Sequence, residues 1–397
     1  MRLLNTSTLE LKSFDQDRPQ YAILSHTWTK DEPSFEAFVA RKHFSRRIAR
    51  FRKRKKYVKT VMSCELAKKS GLDWIWIDTC CIDKSSSTEL AEAINSMYAW
   101  YEAAEVCFAY LRDVSDREDP LSGNSSFARS RWFTRGWTLQ ELIAPRTVEF
   151  YSSNWLRIGS KWEYAATIER ITGIHQRVLK DPYFSGLASP WSVAQRMSWA
   201  ANRRTTRPED LAYSLMGLFS VQMPLLYGEG AQKALVRLQG EVAKSTNDQS
   251  LFAWGGWPLS LEDIAEDELI VGGSLYAQHP SRFSLCRDII PLRRNDGGLS
   301  WSSEFSLLND GYLRIKLRIA ENTSRLDMRE THVAFLECEL MGDPDHVVGF
   351  FVHEYDRVEG MPANVRVYKR EFATLAKFPR HIALQAPLRD VFLSSMY

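Results

Sequence analysis

The chain has 397 residues, 44% of them hydrophobic and 25% charged, which is more than one hydrophobic core usually organises and too apolar for wholesale disorder. Its N-terminus, MRLLNTSTLELKSFDQDRPQ, lacks the apolar stretch of a signal peptide and no run approaches membrane-spanning length, so a cytoplasmic protein without a membrane span is expected. Six cysteines without C-x-x-C spacing fit free thiols in a reducing compartment and argue against zinc or another metal site.

The first part of the chain alternates strand and helix signals. YAIL (Tyr21 to Leu24), WIWI (Trp74 to Ile77), VCFAYL (Val106 to Leu111) and TVEFY (Thr147 to Tyr151) are short apolar runs of the kind that form buried strands. Between the first two lies RKHFSRRIARFRKRKKYVK, Arg41 to Lys59, with eleven Lys or Arg and no acid, which turns a net charge of +3 into a balance of −8 for the remainder. This segment is either a docking arm for an anionic partner or a solvated, partly helical insertion. A helix from about Tyr57 to Lys69, closed by Gly71, precedes WIWI. Another follows it, with Leu90, Ile94, Met97 and Tyr101 on one stripe and Ser86-x-x-Glu89 in the form of a capping box. The alternation implies a parallel sheet with helices on both faces, and such sheets bind ligands outside the carboxyl ends of their strands. Ser25, His26 and Thr27 follow the first strand, Asp78, Thr79 and Cys80 the second, and Asp113 the third.

The segment SRWFTRGWTLQELIAP, Ser130 to Pro145, concentrates aromatics and arginines around one carboxylate, Glu141. If it is a single helix, Trp137 and Glu141 stand one turn apart on the same face. Glu141 is then either an ion-pair partner of Arg131 or Arg135 in a half-buried helix, or a desolvated functional carboxylate. No phosphate-binding glycine loop, G-x-S-x-G elbow or H-E-x-x-H motif is present. A thiol nucleophile at Cys80 or Cys81 with His26 as base is the remaining competing chemistry, against the plainer reading of two small core residues.

YAILSHTW, GLDWIWIDTCCIDKSSSTELAEAINSMYAWYEAAEVCFAYL and SRWFTRGWTLQELIAP resemble, in order, the three signature blocks of the fungal heterokaryon-incompatibility (HET) domain. The resemblance covers about Arg2 to Ile174 and extends to ANRRTTRPEDLAYSLMGLFSVQMPLLYGEGAQKALVRLQGEVAKSTNDQSLFAW, which is similar to the helical segment that commonly follows such domains. Where the family usually has glycine after its first block, this chain has Thr29. The resemblance implies self/non-self recognition and programmed cell death, and a remote likeness to Toll/interleukin-1-receptor (TIR) domains. The latter implies a flavodoxin-like sheet and NAD cleavage by a glutamate in W-x-x-x-E, which here is Glu141. Ser25, His26, Thr27, Trp28, Asp78, Cys80, Arg135 and Trp137 are the accompanying substrate-binding candidates, with NAD as substrate and no cofactor. A homo-oligomer is implied as the active form, and a non-catalytic adaptor acting by self-association is the alternative.

After Ser185 the composition shifts. Residues 186–250 read as a helical segment, with a turn at Pro208, and 251–397 as an antiparallel β-rich domain, expected to be a sandwich, in which FSLLNDGYLRIKLRI and HVVGFFVHEY are the clearest strands. Residues 1–185 form the α/β domain of this three-part division.

Overall fold

The computed structural model describes residues 1–15, 17–29, 32–39, 55–180, 190–257, 274–292, 305–307, 312–321, 331–355, 366–371 and 374–394. The chain divides into two units, Met1–Gly186 with Arg203–Leu225, and Leu187–Asn202 with Leu226–Tyr397. Residues of the expected helical segment are thus shared between the two.

In the first unit the apolar runs become strands buried on both faces. β1 (Arg2–Asn5), β2 (Leu11–Ser13), β3 (Ala22–His26), β4 (Trp74–Trp76), β5 (Val106–Tyr110), β6 (Val148–Tyr151) and β7 (Arg157–Ser160) form one sheet in the order β2-β1-β4-β3-β5-β6-β7. β3 and β5 are buried at every residue. The β4–β3, β3–β5 and β5–β6 pairings are parallel, with Ala22 opposite both Ile75 and Val106 and His26 opposite Tyr110. The sheet is mixed rather than wholly parallel, because β1, β2 and β7 pair antiparallel at its two edges. Antiparallel neighbours need only a short turn, and both β1 to β2 and β6 to β7 are connected that way.

Helix α1 (Val58–Lys69) ends before Gly71, whose φ of +77° is the left-handed conformation that glycine adopts without cost. The short α2 (Asp78–Cys81) follows β4 directly, and α3 (Ser87–Glu102) buries Ile94, Met97 and Tyr101 as the stripe requires, with Leu90 half-buried. Ser86 Oγ accepts from Glu89 N at 3.3 Å, but the reciprocal half of the capping box does not form. The Glu89 carboxylate instead accepts from Asp83 N at 2.7 Å and pairs with Arg2, tying α3 to β1. Trp76 packs edge-on against Trp100 and Tyr101. A second aromatic group, Phe127, Trp132, Phe133 and Phe150, fixes the segment that leads to Glu141. Residues 41–54 of the basic run lie outside the described residues, and no described helix is long and apolar enough to cross a membrane.

The second unit contains β8 (Ile289–Pro291), β9 (Phe305–Leu307), β10 (Tyr312–Glu321), β11 (Thr331–Phe335), β12 (Cys338–Leu340), β13 (His346–Tyr355), β14 (Val367–Arg370), β15 (Ala376–Pro379) and β16 (Leu388–Ser394). β10 alternates as expected, burying Leu313, Ile315, Leu317 and Ile319. The expected sandwich is not what forms. β11, β10, β16, β14 and β13 pair in turn, and β13 returns to β11, so the sheet closes on itself like a barrel. β13 makes this possible through its length: one edge pairs with β11, and the other takes β15 at its start and β14 at its end. The β14–β16 pairing is parallel, so the unit is not purely antiparallel either.

Candidate functional site

The Ser130 to Pro145 segment is two helical pieces. A 3-10 turn, Arg131–Thr134, is capped at its start by Ser130 Oγ and by Asp113, whose carboxylate accepts from Ser130 Oγ and from Arg131 N, both at 2.8 Å. Asp113 is therefore committed to backbone structure. Helix α4 begins only at Thr138 and runs to Ile143, with all six residues buried. Between the pieces the backbone is diverted into a bridge, in which Arg204 N donates to Thr134 O at 2.7 Å and Gly136 N donates to Arg204 O at 2.9 Å.

This break changes which indole stands by Glu141. Trp137 lies just before α4, and its Nε1 donates to Asp210 Oδ2 at 3.1 Å. The indole joined to the Glu141 network is that of Trp132, whose Nε1 donates to Ser25 Oγ at 2.7 Å, while Ser25 Oγ in turn donates to Glu141 Oε2. Ser25 is fully buried and Glu141 keeps 8% exposure. Burial raises the Glu141 carboxyl to about 8, the charge of Asp78 adds to this, and the Ser25 hydrogen bond with the charges of Arg135 and Arg203 opposes it. Among the described residues no cation forms a salt bridge with Glu141, so the ion pair with Arg131 or Arg135 is not formed. Arg203 donates to Arg135 O at 2.8 Å and to Thr138 Oγ1 at 3.0 Å, bracing the start of α4.

Beside this group, at the carboxyl ends of β3 and β4, lies a charged cluster. His26 Nε2 is 2.8 Å from Glu32 Oε2 and 3.9 Å from Asp78 Oδ1. Glu32 also pairs with Lys59 and accepts from Thr29 N at 3.0 Å, and Lys59 donates to the Thr27 carbonyl at 2.8 Å. Burial alone would raise the Glu32 carboxyl, but His26 and Lys59 overcome it and hold the group at about 2. Thr29 is not among the residues with positive φ, so the loop does not need the glycine usual at this place. Trp28, 46% exposed, is oriented by Nε1 donating to Asp78 Oδ2 at 2.6 Å. Lys84 Nζ sits 3.3 Å from its ring centroid and the Arg135 guanidinium 5.8 Å. A half-open cleft of about 220 Å³ opens here, lined by Trp28, Glu32, Phe35, Thr79, Ile82 and Lys84 among others.

Ser25, His26, Thr27, Trp28, Asp78, Arg135 and Glu141 thus converge on one sheet edge, as contacts or through the charges acting on Glu141. Cys80 and Trp137 do not join them. Cys80 is fully buried, its thiol is pushed well up by a hydrogen bond shared with Cys81 and by burial, and its Sγ lies 3.7 Å from Ile77 O. A thiolate nucleophile has no support there. Glu32, Lys59, Lys84 and Arg203 also belong to the site and are not among the sequence candidates, although Lys84 lies in the second signature block, Arg203 in the segment that follows the domain and Lys59 at the end of the basic run. No group of three or more His, Cys, Asp or Glu suited to a metal ion occurs among the described residues.

Comparison with known families matches residues 21–127 to the heterokaryon incompatibility protein (HET) family. Over 230 residues, 57% of its length, the chain is 46% identical to the vegetative incompatibility protein HET-E-1 of Podospora anserina. It spans only 16% of that relative. No solved structure matches the chain.

Proposed function

We propose that this chain, which carries a heterokaryon-incompatibility domain, acts in the fungal cytoplasm in self/non-self recognition and the programmed cell death that follows it. The name of its relative, a vegetative incompatibility protein, supports the role. The four parallel strands run in the order second, first, third, fourth, which supports a TIR-like, flavodoxin-like reading of the sheet with its ligand at the carboxyl ends.

On this reading the domain hydrolyses NAD, and the observation that carries it is Glu141, a carboxyl withdrawn from water beside that edge with Ser25 on one oxygen and no salt bridge to a cation among the described residues. The bond between ribose C1 and the nicotinamide nitrogen breaks, and its electron pair neutralises the pyridinium as it leaves. Water adds to the ribose carbon and loses a proton, giving nicotinamide and ADP-ribose. This leaving group needs no general acid, so one carboxylate that stabilises the oxocarbenium-like state is sufficient. The positive charge of the pyridinium favours ionisation of a carboxyl that otherwise holds its proton to about pH 8. The active form is a self-associated one.

One observation favours a second reading, an adaptor that signals by association alone: the residues lining the cleft do not include Glu141. Incubating the purified full chain with NAD, free and clustered, and separating products by chromatography decides between them. Wild type should release nicotinamide, and Glu141→Gln should lose on the order of a hundredfold of that rate with its circular dichroism unchanged. Equal turnover by both removes the mechanism, and no turnover by wild type in either state leaves the adaptor.

A further inference from the structure

Ser25 is one of the substrate-binding candidates and lies near the carboxyl end of β3, yet its hydroxyl is already committed on both sides. Its proton goes to Glu141 Oε2 and its lone pair receives Trp132 Nε1–H at 2.7 Å. Ser25 has no exposed surface and Trp132 has 1%. Trp132 is itself held by ring contacts to Phe133 and Phe150 at 5.1 and 5.7 Å, so the chain of bonds runs from the aromatic core to the carboxyl. A donor hydroxyl fixed in this way can point in only one direction.

We propose that Ser25 is a positioning residue, held by Trp132, that sets the orientation and charge of the Glu141 carboxyl and makes no contact with substrate. The proposal takes from the preceding reading that Glu141 is the working carboxyl. The other groups acting on that carboxyl are Tyr101 from α3, Cys107 from β5, Asp78 from α2, and Arg135 and Arg203 at the start of α4. Ser25 donates directly to Glu141 Oε2, and Tyr101, whose hydroxyl donates to Leu24 O at 3.2 Å, also acts on the carboxyl through a side-chain hydrogen bond.

The test reads the titration of Glu141 without needing turnover. Unfolding midpoints are followed from pH 4 to 10 for wild type, Ser25→Ala and Trp132→Phe, each beside its own Glu141→Gln counterpart. A hydrogen bond that favours the charged carboxylate holds its midpoint down, so Ser25→Ala should move it up by about one to two pH units. Trp132→Phe keeps the ring and removes the N–H, and should move it the same way by less. An unchanged midpoint in both variants overturns the proposal whether or not NAD is cleaved. Where wild type is active, Ser25→Ala should lower kcat by tenfold or more with KM little changed, and Ser25→Thr should restore it. A raised KM with kcat intact would return Ser25 to substrate binding and overturn the positioning role.

Discussion

Lys161 closes the helix that carries Glu141. Its ammonium, 3% exposed, donates to the carbonyls of Leu142 at 3.3 Å and Ile143 at 3.4 Å and to that of Pro145, which are the acceptors left without partners where α4 ends. Burial pulls this amine down to about 8. Lys161→Met should therefore leave buried carbonyls unsatisfied and cost about 2–3 kcal/mol by chemical denaturation. The native chain gives up this proton before the unfolded chain does, so the contribution of Lys161 is complete above its ordinary value of 10.5 and is lost as pH falls through about 8. The gap between wild type and variant should widen from pH 8 to 10, and a constant gap would mean that the ammonium is not desolvated.

Glu141 has the opposite sign. Its native value of about 8 stands above the ordinary 4.5, so the native state holds a proton that the unfolded chain has released. Its contribution is complete below about pH 4.5 and is lost as pH rises through about 8. Glu141→Gln keeps the shape and removes the charge, so it should match wild type near pH 4 and be the more stable protein at pH 8 to 9. Thermal unfolding across this range checks it. A variant less stable than wild type at pH 9 would show that the carboxylate is better paired than the Ser25 contact alone provides.

Glu32 titrates at the acid end. Held at about 2 by His26 and Lys59, it contributes stability above its ordinary 4.5 that is lost as pH falls through about 2. Glu32→Gln should cost roughly 3 kcal/mol at pH 7, because Lys59 loses its nearest counter-charge and His26 Nε2 its carboxylate partner in a poorly solvated place. The same variant should lose less than wild type on acidification from pH 5 to 3. Parallel acid curves for the two proteins would remove the ion-pair account.

Burial on both faces is what made the strands readable: VCFAYL has no polar alternation, and β5 is buried throughout. A one-sided stripe made α3 readable, and the polar residues at the ends of β3 and β4 supply most of the candidate site. The errors came where a partner distant in sequence decides the outcome. Trp137 and Glu141 are spaced for one helical face, but Arg204 pairs with the backbone on either side of Arg135 and delays α4, and Asp210 takes the Trp137 indole. Lys161, in IGSKWEY, has the spelling of a surface lysine, and only the end of α4 explains its burial. In the second unit alternation is legible in β10, whereas β13 is buried without a break from Val347 to Val352, and closure into a barrel depends on β13 pairing along both edges, which its own sequence does not state.

Gly136, at the break before α4, gives the sharpest test of how Glu141 is placed. A Cβ built there would meet Thr205 Cγ2 well inside van der Waals contact, while Ser214 Oγ at 3.3 Å and Arg204 O at 3.7 Å leave nearly enough room. Its backbone is not free to retreat, because Gly136 N is bound to Arg204 O at 2.9 Å. Gly136→Ala should accordingly cost about 1–3 kcal/mol through overpacking. The clash is with one methyl group, and Thr205→Ser removes that methyl while keeping the hydroxyl that donates to Arg207 O at 2.6 Å. The double variant Gly136→Ala with Thr205→Ser should therefore recover most of the loss, whereas Thr205→Ser alone should do little. Denaturation of the four proteins of this cycle measures the coupling directly. Additive effects would mean that the Thr205 methyl is not what limits Gly136→Ala, and that the position of α4 does not depend on that contact.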